Sequence, residues 1–256
     1  EAALWLPGTD HAGIETQYVF EKKLKKEGKS RFDFDRETLY QMIWDYVQEN
    51  SGTAIKQMKK LGASADWERT TFTLDKKIVD QVLDTFIKLH NDGLIYRGQR
   101  VVNYCTNCGT AFSNLEINHE EKIEPLYYLK YGPFTLATTR PETKFGDTAV
   151  AVNPKDKRYQ KWVGKEIEVE GLMGKFKIKV ISDNYVDMKF GTGVVKITPA
   201  HDFNDYELGR KHNLPFVNVM GKDGKITADG GPYVGLKFEQ AREKMIEDLK
   251  QNGLLE

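Results

Sequence analysis

The chain has 256 residues, 38 basic and 38 acidic side chains with no formal net charge, and two cysteines. That length fits one large domain or two modest ones, and the charge balance excludes a global pull toward nucleic acid, so any RNA contact must be local. No apolar run is long enough to cross a bilayer, no secretory signal is read in the opening residues, and two cysteines exclude a disulfide framework, which fits a reducing cytosol.

Residues 1–17 read E-A-A-L-W-L-P-G-T-D-H-A-G-I-E-T-Q. An apolar stretch turns at Pro7 and Gly8 and enters a helix that Gly28 ends. In an α/β protein such a junction delivers residues to the carboxyl edge of a sheet. Asp10 there is either a helix N-cap or a site residue, and the local pattern leaves both open. Residues 31–93 read as helical. Asp35 is a cap for a helix with Leu39, Ile43, Trp44 and Val47 on one face. A second run with Ile55 and Met58 ends at Gly62. Asp75 caps a third helix, in which Ile78, Val82, Phe86 and Ile87 recur at helical spacing and which Gly93 closes. These stripes are expected to be core. Residues 94–104 alternate apolar and polar, as a strand or ribbon does.

Next comes C-T-N-C-G, with Cys105 and Cys108. A tight turn of this kind aims two thiolates at one tetrahedral ion, so the pair is half a zinc site. A whole site needs four ligands, and His119 is the nearest other candidate. The alternative is two reduced thiols at a turn. Residues 115–125 are polar and read as a linker. From Leu126 the texture becomes short strands at 126–131, 134–139, 148–152, 166–169, 176–181 and 194–198, punctuated by Gly and Pro, which predicts a compact β-rich barrel. A helix over 204–212, a strand near 216–219 and a helix over 237–252 follow.

Two stretches are dense in short-range donors and acceptors. Residues 137–143, A-T-T-R-P-E-T, carry three threonines and an arginine. Residues 191–207, G-T-G-V-V-K-I-T-P-A-H-D-F-N-D-Y-E, start as a buried strand, stop at Pro199 and enter a helix. Lys196, Thr198, Asp202 and Asp205 thus cluster at a strand-to-helix junction, where loops carry chemistry on a rigid scaffold. No thiol or Ser–His–Asp arrangement is evident. A hydrolytic site of this kind must position water and stabilise an oxyanion, for which threonine hydroxyls, the N–H groups of residues 191–193 and a nearby cation are available. His201 is a conceivable general base, although turn geometry also explains it.

A-T-T-R-P-E-T, then G-D-T-A-V-A-V-N-P, then G-T-G-V-V-K-I-T-P-A-H-D-F-N-D-Y-E resembles the editing domain inserted in the class I aminoacyl-tRNA synthetases for valine, isoleucine and leucine. H-D-F-N-D-Y is similar to the valyl branch, and P-G-T-D-H-A-G resembles the catalytic core of that branch. The resemblance implies a mixed α/β and β-rich fold in two parts. Residues 1–122 would be a partial Rossmann-type catalytic core with connecting helices and ribbon. Residues 123–256 would be a β-barrel-like editing domain with flanking helices.

The implied activity is hydrolysis, by water, of threonine wrongly esterified to tRNA(Val). A pocket shaped for valine cannot strongly exclude threonine, and the valyl enzymes are the standard illustration of that limit. Asp205 is implied to hold the free ammonium of the ester by a charge-assisted hydrogen bond. Thr138, Lys196 and Thr198 join it as catalytic residues, with Arg140, Thr143 and Asp202 binding substrate. Asp10 is implied to hold the amino group of the amino acid in the synthetic site. Glu142 is equally a structural or a functional residue. Arg140, Lys144 and Phe145 are candidate contacts to the tRNA 3′ end.

For a longer, monomeric, cytoplasmic parent the resemblance implies ATP as cofactor, valine and threonine as amino-acid partners, and no membrane. Zinc on Cys105 and Cys108 would need ligands outside this chain. The family's H-I-G-H and K-M-S-K-S elements are missing, so a fragment unable to activate valine is expected. Two rivals are an isoleucyl-type editor, which the wording of residues 7–13 disfavours, and a non-catalytic zinc-ribbon RNA-binding module built on the cysteine pair.

Overall fold

Helix boundaries in the first part of the chain follow local signals closely. The computed structural model describes residues 3–256, so the first two residues of the predicted opening stretch lie outside it. The chain divides into two compact units, Glu1–Arg97 and Gly98–Glu256. In the first unit, strand β1 (Gly8–Thr9) pairs in parallel with β2 (Thr71–Phe72). Helices α1 (Gly13–Lys26), α2 (Arg36–Asn50), α3 (Gly52–Lys60) and α4 (Lys76–Asn91) make up most of the rest. Asp35 caps α2 by accepting the Thr38 N–H at 2.9 Å. Gly28 and Gly93 each sit just past a helix at φ 73°, a conformation that a Cβ resists.

One expectation fails here. The apolar stripe of α4 is not core: Val82 is 61% exposed and Phe86 53%. Helices α2, α3 and α4 contain no buried residue, and in α1 only Phe20 and Leu24 are buried. Amphipathic spacing specifies which face seeks a partner and cannot supply one; none covers α4 among the described residues. The predicted ribbon over 94–104 is also shorter than expected. Only β3 (Asn103–Cys105) and β4 (Thr110–Phe112) pair, as an antiparallel hairpin around the two cysteines.

The second unit is built on sheet. Strands β5 (Tyr127–Tyr131) and β6 (Phe134–Thr138) form one antiparallel hairpin. β7 (Ala149–Val152), β8 (Glu166–Gly171), β9 (Gly174–Ser182) and β10 (Val194–Ile197) form a four-stranded sheet in the order β10-β7-β9-β8. β7 runs parallel to β9; the other neighbours are antiparallel. β7 reads A-V-A-V with no alternation because all four residues are buried, as suits a central strand covered on both faces. β8 alternates instead: Ile167 and Val169 point inward, while Glu168 meets Lys175 of β9 at 2.8 Å on the outer face.

One apolar cluster joins the sheet to the hairpin through Val150, Val152, Leu129 and Leu136, with Leu249 of helix α6 (Phe238–Gln251). Another, with Ala149, Ala151, Ile197 and Leu208, packs helix α5 (Phe203–Lys211) on the sheet. Burying each such aliphatic side chain is worth roughly 1.5–3 kcal/mol.

The barrel expectation is corrected. The four-stranded sheet and the β5–β6 hairpin are separate ladders, and no sheet closes. β10 ends at Pro199, which has no N–H to extend a ladder, and β6 ends in a 3-10 turn, Pro141–Gly146, rather than in continued strand. The expected strand near 216–219 is likewise absent; that region makes only an isolated bridge between Met220 and Ile226.

Candidate active site

Asp202 and Asp205 are fixed by the start of α5. Asp202 is the N-cap, and its Oδ1 accepts the N–H groups of Asn204 at 2.8 Å and Asp205 at 3.1 Å. One turn in, Asp205 is buried, and its Oδ2 accepts the Thr198 N–H at 2.8 Å. Its other oxygen makes no hydrogen bond among the described residues. Burial pushes this carboxyl up to about 6; the Thr198 N–H and the Lys196 cation oppose that, and the Asp202 and Asp147 charges add to it.

Lys196 points inward from β10. Its ammonium donates to Thr198 Oγ1 at 2.6 Å, Thr143 Oγ1 at 3.0 Å and Asp147 Oδ1 at 3.0 Å. Those three bonds use all its donors, so Lys196 here organises the threonines. Asp147 is the hub: its side chain is fully buried, it also accepts the Thr198 hydroxyl at 2.6 Å, and it accepts the Tyr131 hydroxyl. Sequence reasoning quoted Asp147 in G-D-T and gave it no role.

The facing wall is the turn after β6. The Thr138 hydroxyl accepts the Arg140 N–H at 3.1 Å, and the Thr143 hydroxyl donates to the Arg140 carbonyl at 3.0 Å. Arg140 donates through Nη1 to the His201 carbonyl at 2.8 Å and through Nε to Glu142 at 3.4 Å. Glu142 is fully buried and also takes two bonds of 2.9 Å from Arg242 of α6. Gly146 lets this turn lie against β10: a Cβ there would stand 3.0 Å from Thr198 Cγ2 and from the Val217 carbonyl.

Thr138, Arg140, Thr143, Lys196, Thr198, Asp202 and Asp205 all line one cavity of about 270 Å³, together with His201, Tyr185 and Phe190. The two aromatics are 51% and 67% exposed and had no sequence signal beyond being apolar in a loop. Asp10 belongs to the first unit and does not line this cavity. It is not the cap of α1, a position taken by Ala12, whose N–H it accepts at 3.2 Å.

Three expectations are revised. Lys144 and Phe145 are not placed for RNA: Lys144 is 4% exposed with its ammonium 3.7 Å from the Tyr131 ring centre, and Phe145 packs on Tyr233. Among the described residues the Lys144 ammonium has no hydrogen-bond partner, and burial lowers it to about 8. The Gly193 N–H is spent on the Phe190 carbonyl at 3.0 Å, and neither Gly191 nor Gly193 lines the cavity. At the hairpin turn the Cys108 N–H donates to Cys105 Sγ at 3.4 Å, and hydrogen bonds from Cys108 lower the Cys105 thiol pKa. No cluster of three or more potential metal ligands occurs among the described residues. His119 therefore does not join the pair, which stays the half-site expected to need ligands outside this chain. Among the described residues no helix is long and apolar enough to cross a membrane.

A hollow walled by threonine hydroxyls, a buried lysine and a helix-head carboxylate, with no serine or thiol, is equipped for hydrolysis by positioned water. The chain belongs to the class I aminoacyl-tRNA synthetases: the family described as tRNA synthetases class I (I, L, M and V) matches residues 1–185, and that described as leucyl-tRNA synthetase, editing domain, matches residues 172–250. Its relatives include the valine–tRNA ligase of Bdellovibrio bacteriovorus, 49% identical over 99% of this chain and 29% of that protein. Those of Syntrophotalea carbinolica and Geobacter sulfurreducens are each 48% identical over the same shares. The chain thus spans about 29% of the length of these relatives. A solved structure described as the crystal structure of GlLeuRS-CP1 aligns at a TM-score of 0.37 and 15% identity, over 48% of this chain and 81% of that one, a likeness too slight to carry an argument.

Proposed function

We propose that the second unit, with its editing part from residue 123 onward, hydrolyses threonine wrongly esterified to the 3′ end of tRNA(Val). The observation that carries this reading is the shared hollow: Asp205 at the head of α5 and the 138–143 turn wall one cavity. The free oxygen of Asp205 suits the ammonium of an aminoacyl ester, at about 1.5–3 kcal/mol for a charge-assisted hydrogen bond. Above about pH 6 that carboxyl is ionised, so the free oxygen meets the ligand ammonium as a carboxylate. Thr143 and Thr198, held in place by Lys196, form the polar wall that meets a threonyl hydroxyl and repels an isopropyl group. Arg140, with one nitrogen unspent, and the rings of Tyr185 and Phe190 suit the terminal phosphate and adenosine. Water attacks the ester carbonyl, the bond to the ribose oxygen breaks, and that oxygen takes the proton; free threonine and intact tRNA leave.

Charging of tRNA with valine, use of ATP, a monomeric state and a cytoplasmic location are proposed for a whole protein like the relatives, of which this chain spans 29%; ATP–pyrophosphate exchange is not expected of these 256 residues. A deacylation assay on threonyl-tRNA(Val) tests the central reading. Asp205→Ala is expected to slow hydrolysis roughly 10- to 100-fold, the worth of that hydrogen bond. Equal rates for parent and variant refute the assignment.

A further inference from the structure

The imidazole of His201 is held by one edge. The backbone N–H of Val219 donates to Nε2 at 2.9 Å, and a Cβ built on Gly146 would stand 3.4 Å from the adjoining Cδ2. A backbone amide only donates, so Nε2 must present a lone pair. A neutral imidazole with a lone pair on Nε2 carries its proton on Nδ1. The other edge of the ring belongs to a residue of the cavity wall. No hydrogen bond to Nδ1 occurs among the described residues, although the residue's N–H and carbonyl are both bonded, to the Thr198 carbonyl at 3.0 Å and from Arg140 at 2.8 Å.

We propose that His201 is a fixed donor of this cavity, whose Nδ1–H binds an acceptor oxygen of the bound ester, either the carbonyl oxygen on which charge develops or the ribose oxygen beside it. The inference rests on the ester-hydrolase reading given above and adds a substrate-touching residue to it. Two rival roles fit the geometry less well. A general base needs a free lone pair, and the single one on this ring is engaged by Val219. A purely structural anchor explains Nε2 and leaves a half-buried N–H unpaired, which costs free energy that an acceptor on the substrate would recover.

Charge points the same way. Burial and then the neighbouring Arg140 and Lys196 cations lower the imidazole to about 4, while Asp147 and Glu142 pull weakly upward. The ring therefore stays neutral at the pH of the cell and is a poor proton acceptor there.

Two substitutions separate the roles, because the amide nitrogen of asparagine falls near Nδ1 and the amide of glutamine reaches the place of Nε2. In deacylation of threonyl-tRNA(Val) by the 256-residue chain, His201→Asn is expected to stay within a few-fold of the parent. His201→Gln is expected to fall roughly a hundredfold, the loss typical of one oxyanion donor. The reverse order shows an anchor and overturns the proposal. Equal loss in both variants, or loss in neither, also overturns it. A parent that hydrolyses no ester defeats the ester-hydrolase reading itself.

The tautomer is read separately by nitrogen NMR of the labelled imidazole, whether or not any ester is cleaved. The expected result is a proton on Nδ1 with no titration between about pH 5 and 8. A proton on Nε2, or a midpoint inside that window, overturns the proposal even in an active parent.

Discussion

Burial raises the Asp205 carboxyl from 3.8 to about 6, which sets both a cost and a pH dependence. A raised carboxylate pKa means that the folded chain keeps a proton that the unfolded chain has released. Stability therefore falls as pH rises from about 4 to about 6, by about 2–3 kcal/mol once both states are ionised. Asp205→Asn keeps an acceptor for the Thr198 N–H and removes that cost. It is expected to raise the unfolding temperature at pH 7 and to have little effect at pH 4, while hydrolysis is lost. The parent's hydrolysis should rise with pH through about 6 as the carboxylate forms. Thermal denaturation at the two pH values, beside the deacylation assay, checks both; equal melting of parent and variant at pH 7 refutes the burial cost. The residue proposed to grip the substrate is thus one that the fold would be more stable without, a common trade at functional sites.

At the scale of elements, α5 is tethered at both ends. Its head carries Asp202 and Asp205. Its tail is latched to the end of β9, where Asp183 accepts from Lys211 Nζ at 2.7 Å and pairs with His212 Nε2 at 3.0 Å. Burial would raise the Asp183 carboxyl, yet bonds from Lys211, His212 and the Tyr185 N–H outweigh it and hold the group at about 2. That stabilisation, about 2 kcal/mol, is present above pH 4 and is lost as pH falls from about 4 to about 2. Asp183→Asn is expected to lower stability at pH 7 and to flatten the acid limb of a urea-midpoint titration; an unchanged limb refutes the latch.

What was legible in the sequence was local. Asp35, Gly28 and Gly93 could be placed because a cap or a left-handed turn is decided within four residues. Six strands of the second unit, β5 to β10, were legible because alternation and β-branching are also local, whereas the strand expected near 216–219 did not form. Sheet closure was not, since it depends on which strand edges meet, and Pro199 and the Pro141–Gly146 turn decide that only in three dimensions. The polar residues of the cavity were picked out by resemblance and by polar density; Tyr185 and Phe190 were not. The partners that hold them, Asp147, Tyr131 and Arg242, were missed because each acts across a gap in sequence.

Across the second unit as a whole, the widest of those gaps is the clamp between Glu142 and Arg242, 100 residues apart. Glu142 is fully buried, bonded on one side by Arg140 of the cavity wall and on the other by α6. Removing Arg242 leaves the buried Glu142 charge with only the longer Arg140 bond, which costs up to about 3–5 kcal/mol, the figure for a broken buried pair. Arg242→Ala is expected to destabilise by that amount in urea unfolding. Glu142→Gln with Arg242→Ala should recover part of it, because the stranded charge is gone. Strict additivity of the two changes refutes the clamp.

The same clamp orders events while the chain is being made. A nascent polypeptide displays Thr138, Arg140 and Glu142 outside the ribosome long before Arg242 has been translated, 100 residues later. Through that interval the turn walling the cavity has no brace, and a buried carboxylate has no second counter-ion. A protein synthesised only as far as α5 would own every hydroxyl and carboxylate of the hollow and still lack the guanidinium that keeps its wall upright. Whatever chemistry the hollow performs therefore waits until α6 has been made.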